Sequence, residues 1–256
     1  MNKNIVIDDY GRTPKISEEI LKIIEDIKII DEVSVIVGFI ENSLHKKLRE
    51  TNVKTSLHLN LTDNVKIKNI KDGNLSFIKL LFLPTKNRKF IYEEIDKQIK
   101  AYSIIYNLNY IDINGHEHVH TIPWIYNYLL RKENIKNIRY SSEKFYFVIK
   151  KINPLKLFRN YIAFLLIKIL NFSNKTKSNK KFFGVIYSNY MCEKVYKKII
   201  NLNQNSNIQI LYHPGKASKN ENNFFSKDYF FKYFTSDLRE KEKQELYEIK
   251  KNLNNY

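Results

Sequence analysis

Short runs of β-branched and aliphatic residues alternate along the chain with longer segments in which apolar residues recur every three or four positions. The short runs predict strands and the longer segments predict helices; their regular alternation is typical of parallel strands joined by crossover helices. An α/β fold is therefore expected, and 256 residues favour one domain over 1–256. The predicted strands are Asn4–Ile7, Val33–Val37, Thr55–Leu59, Tyr110–Ile113, Asn137–Tyr140, Gly184–Tyr187 and Ile208–Tyr212.

Four helices carry start or periodicity signals of their own. Ser17 is a candidate cap for a helix that continues through two acidic residues into an apolar stripe. Phe90–Leu108 predicts a longer helix, and Pro123 suits the first turn of another, with Thr121 as its candidate cap. Asp237–Asn252 alternates Glu with Lys, which indicates a solvent-exposed terminal helix.

The segment Asn153–Lys181 departs from this alternation, because an apolar stretch is followed by a lysine-rich tail. Only eight uncharged residues separate Arg159 from Lys168, whereas about 20 apolar residues are needed to span a bilayer. We expect a helical excursion packed on the rest of the fold or on a second subunit. Peripheral contact with an anionic membrane is the alternative, and it would matter if the substrate were a lipid.

The composition is strongly basic, with a formal net charge of +17. Such a charge raises the alternative of a basic nucleic-acid-binding protein, since Lys and Arg neutralise phosphates. The lysines are scattered, however, and accompany many Asn, Ile, Tyr and Phe residues, as an AT-rich coding sequence would produce. A generally basic, solvated surface is favoured, and no nucleic-acid partner is expected.

The single cysteine and the N-terminal sequence both favour a reducing compartment. Cys192 has no partner for an internal disulfide, and burial as a small hydrophobe is the expected environment. The apolar run Ile5–Ile7 is too brief for the core of a signal peptide. We therefore expect a cytoplasmic protein.

Three histidines stand at alternate positions in "NGHEHVH", directly after a predicted strand: His116, His118 and His120. If the extended backbone continues, the three rings share one face. A lone histidine there would more often be a packing residue, but three polar rings in register need partners. The pattern therefore favours a functional role for at least one of them.

Other chemistry-bearing residues close other predicted strands. Asp8 and Asp9 end the first strand, His58 of "SLHLNLT" lies near the end of another predicted strand, and His213 precedes the turn in "ILYHPG". Five of the six histidines, all but His45, thus fall at carboxyl ends of predicted strands, where parallel α/β folds assemble their sites.

One Asp with two His is a common ligand set for a catalytic divalent cation. A spare carboxylate could take a proton from water, and a further histidine could protonate a leaving amine or stabilise an oxyanion. These functions together are what hydrolysis of an amide bond requires.

The segments "IVIDDYG", "SLHLNLT", "NGHEHVH" and "HPG", in this order, resemble those of the YdjC-like carbohydrate deacetylases, which include chito-oligosaccharide deacetylases. "IRYSSE" and "FFGVIYSNYM" also resemble family segments. The resemblance implies a single-domain distorted (β/α) barrel, similar to a TIM barrel, and a divalent metal ion, magnesium or zinc. It further implies a metal-dependent hydrolase that removes acetyl from an N-acetylated amino sugar. The resemblance and the apolar excursion together favour a homodimer.

Carried over by motif, the resemblance makes Asp8 the general base and makes Asp9, His58 and His116 the metal ligands. It makes His213 the general acid or oxyanion partner.

The remaining positions are assigned to the pocket. Arg139 matches an arginine that orients a carboxylate or the substrate, and His118 and His120 are expected to line the pocket.

Three departures from the family pattern stand out. Val6 and Ile7 replace an Asn and a small residue before the acidic pair, Ser56 replaces a Gly, and Asn114 replaces an Asp two positions before the first histidine. An amide can orient an imidazole but does not raise its basicity as a carboxylate does, so reduced metal affinity is expected.

The leading hypothesis is a metal-dependent carbohydrate N-deacetylase acting on an oligosaccharide or a lipid-linked glycan. A glycosidic-bond hydrolase is the enzymatic alternative, although the sequence offers no second acidic motif for the paired carboxylates it needs. A catalytically inactive sugar-binding relative is the third hypothesis.

Overall fold

The structure is a computed structural model and describes residues 2–65, 67, 75–140, 143–148, 153–172, 174 and 180–253. Within them, seven strands form one sheet with parallel pairing throughout. In chain order β1 to β7 are Lys3–Tyr10, Glu32–Val35, Lys54–Leu59, Ile111–Gly115, Ile135–Ile138, Lys181–Phe183 and Ile208–Tyr212. Their order across the sheet is β5-β4-β3-β2-β1-β7-β6.

The helices of the described residues surround this sheet, and two 3₁₀ segments, His116–Thr121 and Lys219–Phe224, follow β4 and β7. In chain order α1 to α9 are Pro14–Ile27, Asn42–Glu50, Phe77–Leu81, Thr85–Tyr106, Pro123–Leu130, Pro154–Phe172, Glu193–Leu202, Asp228–Phe234 and Asp237–Leu253.

The central strands are buried on both faces, which their apolar sequences require. Consecutive residues Ile5, Val6 and Ile7 of β1 are all inaccessible to solvent, as are Ile210 and Leu211 of the adjacent β7. Continuous burial of this kind is typical of a parallel sheet covered by helices. The predicted α/β class with parallel strands is confirmed.

The sheet is curled into a half-barrel. Across the residues that the structure describes, no pairing joins the two edge strands, β5 and β6. The similarity to a TIM barrel is therefore shown only as far as seven parallel strands with surrounding helices, and full closure of the barrel stays a prediction.

The strand expected over Gly184–Tyr187 is wrong, since β6 lies just before it at Lys181–Phe183. Gly184 adopts φ +139°, and a Cβ there would lie 2.7 Å from Cβ of Leu211. The chain turns away from the sheet at this point, and the backbone N–H of Ser188 donates to the carbonyl of Val185. β5 also begins and ends two residues earlier than predicted.

Two predicted caps are wrong although their helices form. Thr13 caps α1, because its side chain accepts from the backbone N–H of Ile16, whereas Ser17 lies inside the helix and donates to the Thr13 carbonyl. Pro123 does begin α5, but the Thr121 hydroxyl donates to the carbonyl of His118 and caps nothing.

The apolar excursion is helical over α6, as predicted. The lysine-rich tail at 173 and 175–179 lies outside the described residues. In the described part of the chain, no helix combines the length and the apolar character needed to cross a membrane.

Candidate metal centre

Asp8 and Asp9 face the same cavity because β1 is irregular where they occur. Neighbouring residues of a regular strand point to opposite faces, but Asp9 has φ +73°, and the pairing of β1 with β2 shifts register between Ile7 and Tyr10. Left-handed backbone in a residue other than glycine is strained and is found disproportionately at functional sites. The irregularity brings both carboxylates to the carboxyl end of the sheet.

Gly11 completes this turn and admits no other residue. Its φ is +85°, and a Cβ at this position would lie 2.1 Å from the carbonyl oxygen of Ile36. The backbone of the acidic pair is therefore packed directly against the chain that follows β2.

Asp9, His58 and His116 come together at the ends of β1, β3 and β4. Asp9 Oδ1 lies 3.5 Å from His58 Nε2 and 3.3 Å from His116 Nδ1. All three side chains are buried, and their ligand atoms lie within 4.8 Å of one another. One carboxylate oxygen and two imidazole nitrogens at these separations fit the coordination shell of a divalent cation.

Asn114 determines which nitrogen of His58 faces this cluster. His58 Nδ1 is hydrogen-bonded to Asn114 Oδ1, so Nδ1 is the donor to the amide and Nε2 is the nitrogen that faces Asp9. The amide nitrogen of Asn114 donates in turn to Ser34 Oγ at 2.9 Å and Ser56 Oγ at 3.2 Å. Two departures from the family pattern, Asn114 and Ser56, are thus direct hydrogen-bond partners.

A proton competes with a cation for His58. Burial would lower the pKa of His58, but the adjacent carboxylates of Asp8 and Asp9 raise it above its ordinary value. A cation must displace this proton, so metal binding at the cluster is expected to strengthen as pH rises.

Asp8 is held by a bidentate ion pair beneath the cluster. Arg139 donates from Nη1 to Asp8 Oδ2 at 2.7 Å and from Nη2 to Asp8 Oδ1 at 2.9 Å. Burial would raise the pKa of the Asp8 carboxyl, but the Arg139 guanidinium holds it well below its ordinary range. Of the two roles expected for Arg139, the structure shows the orientation of a carboxylate.

Arg239 is a partner of Asp9 that sequence reasoning missed. Its Nη1 donates to Asp9 Oδ2 at 3.1 Å, and its Nε donates to the carbonyl of Gly215 at 2.6 Å. Burial would raise the pKa of Asp9, yet hydrogen bonds from His116 and His58, with the charge of Arg239, hold it well below its usual value. Asp9 is therefore ionised and has Oδ1 directed at the two imidazoles.

The expected extended continuation of "HEHVH" is wrong. The backbone enters a 3₁₀ segment at His116, and Glu117 and His118 have φ values of +50° and +57°. His116 and His118 both line the cavity, but His120 lies outside its lining, with Nε2 hydrogen-bonded to the Arg139 carbonyl at 3.1 Å. The three rings do not share one face, because the strand ends before them.

His213 lines the same cavity from the end of β7. Its backbone N–H donates to Glu242 Oε2 at 2.6 Å, which ties the turn after β7 to α9. Burial lowers the pKa of the His213 imidazole to about 4, with Arg239 adding to the effect against the carboxylates. The ring is therefore neutral near pH 7.

The cavity above the cluster has a volume of about 530 Å³. Its floor is polar, and its walls are apolar and aromatic, which is the general character of a binding site for an organic ligand. Besides the floor residues, the walls come chiefly from α3, α6 and α8: Phe77, Ile78, Ile162, Ala163, Leu166, Ile167, Tyr229, Phe230 and Tyr233.

Comparison with known proteins agrees with this architecture. No curated protein matches the sequence. A solved structure from Enterococcus faecalis V583, that of a "putative cellobiose-phosphate cleavage protein", has a TM-score of 0.54 at 13% identity and covers 96% of this chain and 95% of that chain. At this identity the likeness concerns the fold. The family model described as "YdjC-like protein" matches residues 5–249, and the chain belongs to the YdjC-like family.

Proposed function

We propose that the protein is a metal-dependent hydrolase that removes the acetyl group from an N-acetylated amino sugar. The observation that carries the proposal is the convergence of Asp9, His58 and His116 within 4.8 Å, in a chain of this family. A second carboxylate, Asp8, lies next to the cluster, with Oδ2 3.8 Å from His58 Nδ1. These positions support a cation site with a separate proton acceptor beside it.

A divalent cation at this centre would polarise the acetamide carbonyl and lower the pKa of a water molecule. Asp9, His58 and His116 would hold it. Two imidazoles with one carboxylate favour zinc over magnesium, because magnesium prefers a shell of oxygen atoms.

Asp8 is the proposed proton acceptor. Its ion pair with Arg139 keeps it ionised near pH 7 and fixes the direction of its carboxylate. The same ion pair makes Asp8 a weak base, so the acidity of the attacking water has to be raised at the metal centre.

His213 is the proposed hydrogen-bond donor to the oxyanion that develops on the acetyl carbonyl. A neutral imidazole with a pKa of about 4 carries no spare proton near pH 7. It still has one N–H to donate, which is enough to stabilise an oxyanion. Oxyanion stabilisation is therefore favoured over general-acid catalysis for this residue, and the leaving amine nitrogen takes the proton that Asp8 has accepted from water.

The cavity and the family support a carbohydrate as the substrate class. A volume of about 530 Å³ accommodates one or two sugar rings, and Tyr229, Phe230 and Tyr233 offer flat aromatic surfaces for them. The Enterococcus faecalis protein of similar fold is described as a "putative cellobiose-phosphate cleavage protein", and a carbohydrate ligand for this chain agrees with that description.

Acetate release from a panel of N-acetylglucosamine oligomers tests the proposal. The protein is assayed as purified, after chelation, and after return of zinc or magnesium, alongside His116→Ala and the control His45→Gln, a buried histidine outside the cluster. Chelation and His116→Ala should abolish acetate release, and His45→Gln should retain it. Release that survives both treatments would overturn the mechanism, and shortening of the oligomers without acetate release would establish the glycosidic alternative.

A further inference from the structure

Helix α6 is apolar on two opposite faces, and only one of them packs on the protein. Its inner face buries Phe164 and Ile167. Its outer face exposes five large apolar side chains at helical spacing, with exposed fractions of 49% to 94%: Leu155, Phe158, Ile162, Ile169 and Phe172. We call these five residues the outer stripe. A contiguous exposed apolar surface of this kind on a helix marks an interaction surface.

The outer stripe is continuous with the mouth of the metal-centre cavity. Ile162 belongs to the stripe and lines the cavity as well, and on the other side of the mouth Ile78 of α3 lines the cavity while 55% exposed. Phe82, which follows α3, is 76% exposed. A ligand with an apolar chain could therefore keep that chain among these residues while its polar end reaches the cluster.

The charges on α6 favour an anionic lipid surface as the occupant. Lys156, Arg159 and Lys168 are exposed on this helix, and its sequence contains no Asp or Glu. A second copy of the same surface would bring cations against cations across a twofold axis. A membrane with anionic headgroups would instead attract these cations while its acyl boundary takes up the apolar stripe.

We propose that the outer stripe, together with Ile78 and Phe82 on the other side of the cavity mouth, docks on an anionic lipid surface and that the acetamido sugar reaching the metal centre is carried on a lipid. The substrate part of this proposal rests on the proposed deacetylase function. The docking part stands on the exposed apolar and cationic surface alone.

Sedimentation with vesicles tests docking. The full-length protein is mixed with vesicles of phosphatidylglycerol and phosphatidylcholine, or of phosphatidylcholine alone. The triple variant Phe158→Gln/Ile169→Gln/Phe172→Gln should lower partitioning onto the anionic vesicles by about tenfold or more, because three apolar side chains no longer enter the acyl boundary. These three residues lie outside the cavity lining, so the site is left intact.

The matched control is Ile104→Gln/Leu202→Gln/Leu253→Gln, which changes apolar residues of other helices that are 68%, 52% and 49% exposed. It should partition like the wild type. Docking is overturned if the wild type does not prefer anionic vesicles or if the two triple variants partition equally. A wild-type dimer in sedimentation velocity that the α6 variant dissociates, without vesicle binding, would assign the stripe to a second copy and also overturn it.

A pair of substrates with the same sugar tests whether the sugar that reaches the metal centre is carried on a lipid. Acetate release is measured from tetradecyl N-acetyl-β-glucosaminide in anionic vesicles and from the soluble methyl glycoside. The wild type should prefer the vesicle-borne substrate by tenfold or more, and the α6 variant should lose this preference while its activity on the methyl glycoside is unchanged. Equal rates on both substrates would overturn the lipid-linked substrate. Absence of acetate from both would refute the deacetylase function, and the lipid-linked substrate with it, while the sedimentation result would still decide docking.

Discussion

The two ends of the sheet both carry buried charged residues, but their contacts differ. At the amino end, Lys54 is ion-paired with Glu32 at 3.0 Å and with Asp112, while Gln209 donates to Glu32 and Asn137 donates to Asp112. Each of the two carboxylates there is paired with Lys54 and accepts a hydrogen bond from a side-chain amide. A cluster whose charged groups find their partners within the cluster serves to stabilise the fold.

At the carboxyl end, buried polar side chains come together, but some of their atoms have no hydrogen-bond partner among the described residues. His116 Nε2, His118 Nδ1 and His213 Nδ1 are buried with no hydrogen-bond partner among the described residues, and two imidazoles face the same oxygen of Asp9 at 3.3 and 3.5 Å. Unsatisfied buried polar atoms are costly, and they are retained where a ligand uses them. Of these two clusters in the described part of the chain, the carboxyl-end one is where buried nitrogen atoms lack a partner, and this difference favours it as the ligand site.

Loss of a ligand at the carboxyl end should have the largest effect. His58→Ala removes one of three donor groups, so zinc affinity should fall on the order of a thousandfold. Isothermal titration calorimetry with competing chelator measures it. Lys54→Met, at the opposite end, should bind zinc like the wild type, and equal losses in the two variants would erase the distinction between the two ends.

Loss of the Lys54 charge at the amino end should lower the free energy of unfolding. Lys54→Met leaves Glu32, whose side chain is 3% exposed, without its ion-pair partner. The expected destabilisation is about 1–3 kcal/mol, reduced from that of a fully buried pair because Lys54 is 45% exposed. Urea denaturation measures this difference.

The control for Lys54→Met is Lys132→Met, which removes a surface ion pair with Asp96 and should cost less than about 1 kcal/mol. If Lys54→Met costs no more than this control, the amino-end cluster does not stabilise the fold.

The position of Asp9, His58 and His116 at the carboxyl end of the sheet could be predicted from the sequence, because each follows or closes an apolar strand and parallel strands end at one edge. Their selection as the ligand set rests on the resemblance to the YdjC-like family. Asp9, His58 and His116 do converge there. The amino-end cluster could not be predicted in the same way, since Glu32, Lys54 and Asp112 resemble ordinary polar residues at strand starts.

The prediction that the terminal helix is solvent-exposed is only partly right for α9, although the predicted bounds are close to those observed. Its alternating Glu and Lys residues suggested a solvent-exposed helix, yet Arg239, Glu242, Leu246 and Ile249 are buried. These four residues are spaced three and four apart, which is the pattern of a buried helix face. The charges of Arg239 and Glu242 obscure this pattern, because their burial depends on partners far away in sequence, Asp9 and the His213 backbone.

Asn114→Asp should strengthen metal binding at the carboxyl-end site and so increase its difference from the amino-end cluster. A carboxylate would accept the Nδ1–H of His58 in a charge-assisted hydrogen bond and raise the basicity of Nε2, so zinc affinity should rise about tenfold. Competition against a chromophoric chelator measures the change. Unchanged or weaker binding would show that the amide already orients His58 fully.

The smallest expected effect concerns the coupling of Ser56 to Asn114. The amide of Asn114 brings a buried N–H₂ group that an Asp would lack, and Ser56 Oγ accepts from it at 3.2 Å, while Ser34 Oγ accepts at 2.9 Å. A glycine at position 56 would offer no such acceptor, so the two departures from the family pattern compensate each other physically. Ser56→Gly should therefore lower zinc affinity about two- to fivefold in the wild type, because one of two acceptors is lost.

The same change should cost nothing in an Asn114→Asp background, where no amide donor remains to be satisfied. A double-mutant cycle on zinc affinity isolates this coupling at about 0.5–1 kcal/mol. Ser34→Ala provides the internal comparison, since Ser34 also accepts from Arg139 Nη2 at 2.9 Å and its loss should remain costly in both backgrounds. Additive effects of Ser56→Gly and Asn114→Asp would mean that Ser56 acts on the centre independently of the amide.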